Sequence, residues 1–131
     1  EHKRMGAVGD LVHDRYELWA NPAGVGANGG GAGGVGWLIR KDALLKFSRT
    51  PATEAPIEGR WAMWIRASVR NGGCVDFGSV YLEGAEAAKG PVRDELLGVL
   101  KSTPLHRRMV LGDINCDVGV ESVDAAAWLE A

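Results

Sequence analysis

The sequence predicts an α/β fold in which a mixed, largely antiparallel sheet is covered on one face by a helix. Residues 61–69 and 75–82 have the pattern of a β-hairpin, and an amphipathic helix and the short apolar run of residues 109–111 follow them. A helix between two such strands places them side by side in one sheet and packs on it. At 131 residues, the chain has the size of a single domain.

The composition limits the classes of function. Fifteen Lys and Arg against 17 Asp and Glu give a formal net charge of -2, so no global basic field attracts nucleic acid or anionic lipid, and any such binding must be local. Cys74 and Cys116 are too far apart for a CxxC motif, which favours a reducing intracellular compartment but leaves the organelle open. We find no apolar run of membrane-spanning length and no signal peptide.

Two strands are predicted in the first third of the chain. Residues 16–20 alternate in polarity, and residues 35–39 (VGWLI) form an apolar run typical of a central strand buried on both faces. Residues 24–36 between them hold eight of the 19 glycines, so we expect an exposed, irregular loop. Residues 24–29 match GxGxxG, but GGAGG follows instead of a helix, so we predict no nucleotide there.

The clearest strand is residues 61–69, in which apolar and polar positions alternate, and Asn71-Gly72-Gly73 then supplies a tight turn. We predict Trp61 and Trp64 to be core and sheet-cover residues instead of stacking platforms for bases. Between 43 and 59, two prolines exclude regular helix, and one short strand is predicted at residues 44–47.

The helix is predicted to begin at Gly90-Pro91 and to end at Thr103-Pro104. Its predicted apolar stripe consists of Val92, Leu96, Leu97, Val99 and Leu100. A short second helix is predicted at residues 123–130, with Ser122 as its cap.

Residues 109–117 (MVLGDINCD) hold the main candidate site. A short buried strand ends at Asp113 and delivers Asp113 and Asn115 to a sheet end, where α/β sheets bind ligands. Two residues apart on an extended backbone, these side chains would point the same way. The alternative is an Asx-type turn, in which Asp and Asn bond the local backbone. The pattern alone does not decide between the two.

The segments GGVGWLIRKD, EGRWAMWIR, VDFGSVYLEG, a helix and MVLGDIN, taken in this order, resemble the endonuclease/exonuclease/phosphatase superfamily. Within it, the chain is similar to the AP-like endonuclease domains of non-LTR retrotransposons. The resemblance covers residues 1–117, and GDIN is its most specific part. It departs from the family at Glu83, where a proline is expected, and mildly at Ile114.

The resemblance implies a four-layer α/β sandwich, of which residues 1–131 would be a partial copy truncated at both ends. The family's asparagine motif and its SDH motif are not found in these 131 residues. It further implies that Glu1 binds Mg²⁺, that Asp113 aligns or deprotonates the attacking water, and that Asn115 donates to a phosphate oxygen. Tyr81 matches the family's active-site tyrosine.

Two functions follow from this resemblance. The first is a Mg²⁺-dependent endonuclease or phosphodiesterase acting on DNA. Because no Asp-His pair is present to act as base and orienter, we expect weak Mg²⁺ affinity and no turnover by this chain alone. The second is a non-catalytic structural or interaction subunit of a larger assembly, in which a protein partner covers the exposed sheet face.

Overall fold

A computed structural model of the chain describes residues 14–25, 29–55, 57, 59–102 and 107–116. The predicted helix at residues 123–130 lies outside this part of the chain. The described elements, in chain order, are β1 (Tyr16–Asn21), β2 (Gly24–Val25), β3 (Gly31–Ala32), β4 (Val35–Arg40), β5 (Lys46–Arg49), β6 (Ala62–Ser68), β7 (Cys74–Tyr81), α1 (Glu86–Ser102) and β8 (Arg107–Asp113).

The main sheet contains four strands in the order β5-β6-β7-β8. Strands β5, β6 and β7 are antiparallel neighbours, and β8 runs parallel to β7. The hairpin prediction is confirmed: Asn71 (φ 78°) and Gly72 (φ 77°) make the left-handed turn that joins its two arms. The mixed, largely antiparallel character of the sheet is confirmed as well, and the strand predicted at residues 44–47 lies two positions later, as β5.

Helix α1 connects β7 to β8 and packs on one face of the main sheet. The buried cluster at this contact consists of Ala62, Trp64, Val80, Leu82 and Leu96. Trp64 is 1% exposed, which confirms it as a core residue. Its ring lies over Gly78, where an added Cβ would come within 2.7 Å of the indole, so this glycine makes room for the largest side chain of the core.

The predicted start of the helix is wrong, because α1 begins at Glu86 and Pro91 lies inside it. Glu, Ala and Lys before the proline are strong helix formers, and a proline near the N-terminus removes only one hydrogen bond of the helix. Backbone bonding from Lys89 N–H to the Ala85 carbonyl (2.9 Å) extends the first turn upstream. In the described part of the chain, no helix is long and apolar enough to cross a membrane.

Strands β1 and β4 form a separate two-stranded antiparallel ribbon, so the prediction that residues 35–39 are a central strand of the main sheet is wrong. The ribbon packs on the sheet face opposite α1. Trp37 Nε1 donates to the Met63 carbonyl (3.0 Å), and the Trp37 ring meets Phe77 edge-on. Since only one face of a surface layer meets the core, Leu38 is 56% exposed. Helix, sheet and ribbon together make a strand-rich mixed α/β fold.

The glycine-rich segment is more regular than predicted. Strands β2 and β3 pair antiparallel, with Gly24 opposite Ala32 and Val25 opposite Gly31, so the prediction of an irregular loop is wrong for these residues. Gly29 to Gly31 are exposed, as expected. The structure continues after Gly29 into β3 and β4 instead of a helix, so the described residues lack the helix N-terminus that a phosphate-cradling turn needs.

Candidate functional site

Tyr81 and Asp113 are the last residues of β7 and β8, and they lie opposite each other in the parallel register. Leu82 N–H donates to the Asp113 carbonyl (2.9 Å), which extends the pairing by one bond. Partners in register on adjacent strands present their side chains on the same side of a sheet. The structure therefore brings together two of the residues that the resemblance assigns to the site, at the carboxyl ends of two parallel strands.

Gly112, the glycine of the GDIN motif, stands at a position where a larger residue would clash with β7. Gly112 adopts φ 149°, and a Cβ added there would lie 1.8 Å from the Val80 carbonyl oxygen. Only glycine lets β8 approach β7 this closely and still deliver Asp113 opposite Tyr81.

Asn115 lies in a turn, not on the extended backbone that was predicted as one possibility. It adopts φ 47°, and its N–H donates to Asp113 Oδ1 (2.9 Å), which is an Asx-type turn. Its side chain Nδ2 donates to the Leu82 carbonyl (2.5 Å). The alternative interpretation of this segment is therefore the one that the structure shows. The Asn115 side-chain amide, which the resemblance assigns to a phosphate oxygen, is thus bonded to the backbone just after β7.

Lys89 of α1 bonds to this turn and was not identified as a site residue from the sequence. Its side chain is 5% exposed, and Nζ donates to the Asn115 carbonyl (3.0 Å). A buried lysine is rare unless its ammonium is paired. The available signal was helical spacing: Lys89 lies three residues before Val92 and seven before Leu96, on the apolar stripe. The predicted helix began at Gly90-Pro91 and therefore excluded Lys89, whereas the observed helix begins at Glu86 and includes it.

A stack of side chains connects Tyr81 to the glycine-rich segment. The Trp61 ring is stacked on Tyr81, with centroids 6.3 Å apart and planes at 21°. The Arg60 guanidinium lies 4.3 Å from the Trp61 ring centroid, and Arg60 Nη1 donates to the Val25 carbonyl (2.9 Å). Trp61 thus covers Tyr81, in agreement with its predicted role as a sheet-cover residue. The part played by Arg60 was not predicted.

A charged cluster lies at the opposite end of β7, on the face toward α1. Asp76 is 1% exposed and accepts from Arg66 Nε (2.7 Å) and Nη2 (3.0 Å). Arg66 Nη2 also donates to Glu54 (2.5 Å), and these carboxylates raise the pKa of Arg66. Arg108 Nη2 donates to the Glu54 carbonyl (2.9 Å). The cluster ties three strands and the segment before β6 together.

Glu1, the predicted Mg²⁺ ligand, lies outside the described residues. Within them, no group of three or more His, Cys, Asp or Glu side chains is placed to hold a metal ion. Asp113 is exposed at the sheet edge, and a carboxylate there suits a hard cation such as Mg²⁺.

No protein-family model matches the sequence, and no curated protein matches it significantly. The function is therefore inferred from the residues and geometry described above.

Proposed function

We propose that the chain is a Mg²⁺-dependent endonuclease- or phosphodiesterase-like domain that holds a phosphate of DNA at the edge formed by Tyr81, Asp113 and Asn115. The observation that carries this proposal is the register of Tyr81 with Asp113 at the carboxyl ends of β7 and β8. Ligands of open α/β sheets bind in the crevice outside the carboxyl ends of their strands.

The proposed roles follow from the functional groups. The Asp113 carboxylate would hold the cation and orient or deprotonate the attacking water, and the Tyr81 hydroxyl would donate to a phosphate oxygen. Asn115 would donate to a second phosphate oxygen by exchanging its bond to the Leu82 carbonyl for one to the ligand. When bound, Mg²⁺ would neutralise charge that develops on the phosphate, with Glu1 as a second carboxylate ligand.

We further propose that these 131 residues alone do not turn over. In the family that the chain resembles, the base and its orienter are the Asp-His pair of the SDH motif, and these 131 residues contain no Asp-His dipeptide. The carboxylate, amide and phenol are sufficient to bind a cation and a phosphate. Binding is therefore the property to measure first.

The binding test is fluorescence anisotropy of a labelled duplex oligonucleotide with Mg²⁺ or with EDTA. We expect tighter binding with Mg²⁺, and we expect Asp113→Asn to abolish the difference. This variant keeps an oxygen that can accept from Asn115 N–H and removes only the charge. The matched control is Asp94→Asn on the exposed surface of α1. Equal affinity with and without Mg²⁺, or an Asp113→Asn variant that behaves as wild type, would refute the proposal.

The turnover test is cleavage of supercoiled plasmid with Mg²⁺ or Mn²⁺. We expect the chain and Asp113→Ala to give the same background. Metal-dependent nicking that is lost in Asp113→Ala would show that the described edge is a working active site and would contradict the proposed absence of turnover.

The second candidate function is that of a non-catalytic interaction subunit, and the edge strand β8 favours it. Met109 and Leu111 alternate along β8 and are 51% and 47% exposed. An exposed apolar edge strand is a site for pairing with another chain. If a protein partner covers this face, Met109→Glu/Leu111→Glu should abolish concentration-dependent association in sedimentation velocity. Leu44→Glu, at a fully exposed position outside the strands, is the matched control. A monomeric wild-type chain at all concentrations would argue against a second copy of the chain as this partner.

A further inference from the structure

A cleft of about 660 Å³ opens at the end of the main sheet where β6 ends and where β7 and β8 begin. The turn residues 70–73, together with Val69, Cys74, Val75 and Arg107, line it. It lies at the amino end of β7, whereas Tyr81 lies at its carboxyl end. At about 3.3 Å per residue, the two ends of this strand are roughly 23 Å apart. The cleft is therefore separate from the candidate site.

The charge of the cleft has one sign. Arg70 and Arg107 are the charged residues among its described lining residues, and both are exposed. The carboxylate next along β7, Asp76, points to the opposite face of the sheet and is bonded to Arg66. The described lining residues thus carry two guanidinium groups and no carboxylate, in a chain whose formal net charge is -2. Its local potential attracts anions although the whole chain does not.

The turn that lines the cleft leaves its main chain accessible at Gly72. Asn71 and Gly72 hold left-handed conformations, and a Cβ added at Gly72 would meet no atom within 4 Å. A ligand can therefore come close to the main chain of the turn at Gly72, two residues after Arg70. Guanidinium groups bind phosphate through paired N–H donors, and backbone N–H groups of turns add to such sites.

We propose that this cleft is a binding site for a phosphate group, held by Arg70 and Arg107. The group is either free phosphate or the backbone of a nucleic acid. The inference does not depend on the function proposed for the Tyr81–Asp113 edge, since the two sites lie at opposite ends of β7.

The two cysteines provide a direct test. Cys74 lines the cleft, whereas Cys116 follows β8 at the other end of the sheet, and both are half-buried cysteines that form no disulfide. The experiment measures alkylation of each thiol by iodoacetamide in inorganic phosphate and in sodium chloride of equal ionic strength. We expect phosphate at about three times its Kd to slow alkylation of Cys74 about four-fold, because bound sites are protected in proportion to 1 + [L]/Kd. All rates are measured in EDTA, so that the Mg²⁺-dependent edge beside Cys116 does not hold phosphate, and the rate at Cys116 should then not change.

Charge variants decide whether the arginines hold the anion. Arg70→Gln/Arg107→Gln should remove the protection of Cys74 and leave the Cys116 rate as in wild type, which also shows that the chain is folded. Lys41→Gln/Lys46→Gln removes the same charge from exposed positions outside the cleft and should keep the protection. Alkylation of Cys74 that is equal in phosphate and chloride, or protection that survives the arginine substitutions, would overturn the proposal.

A dodecamer of thymidylate separates the two sources of phosphate. If the ligand is a nucleic-acid backbone, the oligomer should protect Cys74 at concentrations about 100-fold below those needed for inorganic phosphate, because several phosphate contacts add to its affinity. Equal potency per phosphate would identify the free anion as the ligand.

Discussion

At position 112, the backbone of β8 lies so close to β7 that no side chain fits. We expect Gly112→Ala to lower the free energy of unfolding by about 3 kcal/mol or more, since both the positive φ angle and the contact with the Val80 carbonyl oppose a Cβ. Urea denaturation measures this. Gly98→Ala is the control: it lies on the exposed side of α1, a Cβ there meets no atom within 4 Å, and the substitution should stabilise the chain by about 0.5–1 kcal/mol. Equal effects of the two substitutions would show that the close approach at Gly112 is not formed.

Lys89 of α1 donates from Nζ to the Asn115 carbonyl. In Lys89→Met, the Asn115 carbonyl loses its ammonium partner, but the cost of burying the charge also disappears. Because the turn then lacks this bond, we expect hydrogen exchange of the Asn115 amide to become faster. Mass spectrometry of the peptide covering residues 107–116 reports this exchange. Lys101→Met, exposed in the last turn of α1, should leave it unchanged. Unchanged exchange in Lys89→Met would mean that the lysine does not hold the turn.

At the scale of the elements, the cluster around Asp76 joins β6, β7 and β8. In Asp76→Ala, the guanidinium groups of Arg66 and Arg108 lose their buried carboxylate, and we expect a loss of about 3–5 kcal/mol in the free energy of unfolding. Asp76→Asn keeps an acceptor and should cost less. Thermal and urea unfolding both measure this, and a loss no larger than that of a surface substitution would contradict it.

The matched control is Asp42→Ala, because Asp42 also pairs with an arginine but is exposed. Its hydrogen bond with Arg40 lowers the pKa of Asp42 below its ordinary value. Such a carboxylate contributes stability above its unfolded pKa, and this contribution is lost as pH falls through the lower folded pKa. We expect the small difference between wild type and Asp42→Ala at neutral pH to vanish in acid, whereas a large difference at neutral pH would be unexpected for a solvated pair.

The β1–β4 ribbon is attached to the main sheet through Trp37. In Trp37→Ala, the bond to the Met63 carbonyl and the contact with Phe77 are both lost, so we expect a loss of about 2–3 kcal/mol and faster proteolysis within residues 16–40. Leu38→Ala, on the exposed side of the same strand, should have little effect. Proteolysis elsewhere in the chain at the same rate would indicate global unfolding and not release of the ribbon.

At the scale of the whole molecule, the features predicted correctly are those that neighbouring residues decide. The β6–β7 hairpin follows from local alternation and from the turn at Asn71-Gly72, and the place of β8 follows from the helix before it. The position of β4 was not predictable, because an apolar run does not specify which strand it pairs with or which layer it joins. The predicted helix start is wrong because the helix formers before Pro91 extend α1 upstream to Glu86.

In the candidate site, too, the features that chain order decides could be predicted, whereas those that depend on distant contacts could not. The adjacency of Tyr81 and Asp113 follows from chain order and from the parallel crossover through α1. The sequence left the conformation of Asn115 open between two alternatives, and contacts with Leu82 and Lys89 decide it. Those partners lie 33 and 26 residues away along the chain, so no local pattern contains them.

The parallel pairing of β7 with β8 has a consequence for the order of folding. The β6–β7 hairpin closes through a short turn, whereas β8 can pair only after the chain has passed through the whole of α1. Pairing of strands that are distant along the chain loses loop-closure entropy before the stabilising contacts are formed, so it is slower. We expect kinetic analysis of substitutions in the hairpin to show early structure and those in β8 to show late structure. Tyr81 and Asp113 would then meet in the final step of folding, and the edge where they lie would be the first part of the sheet to open.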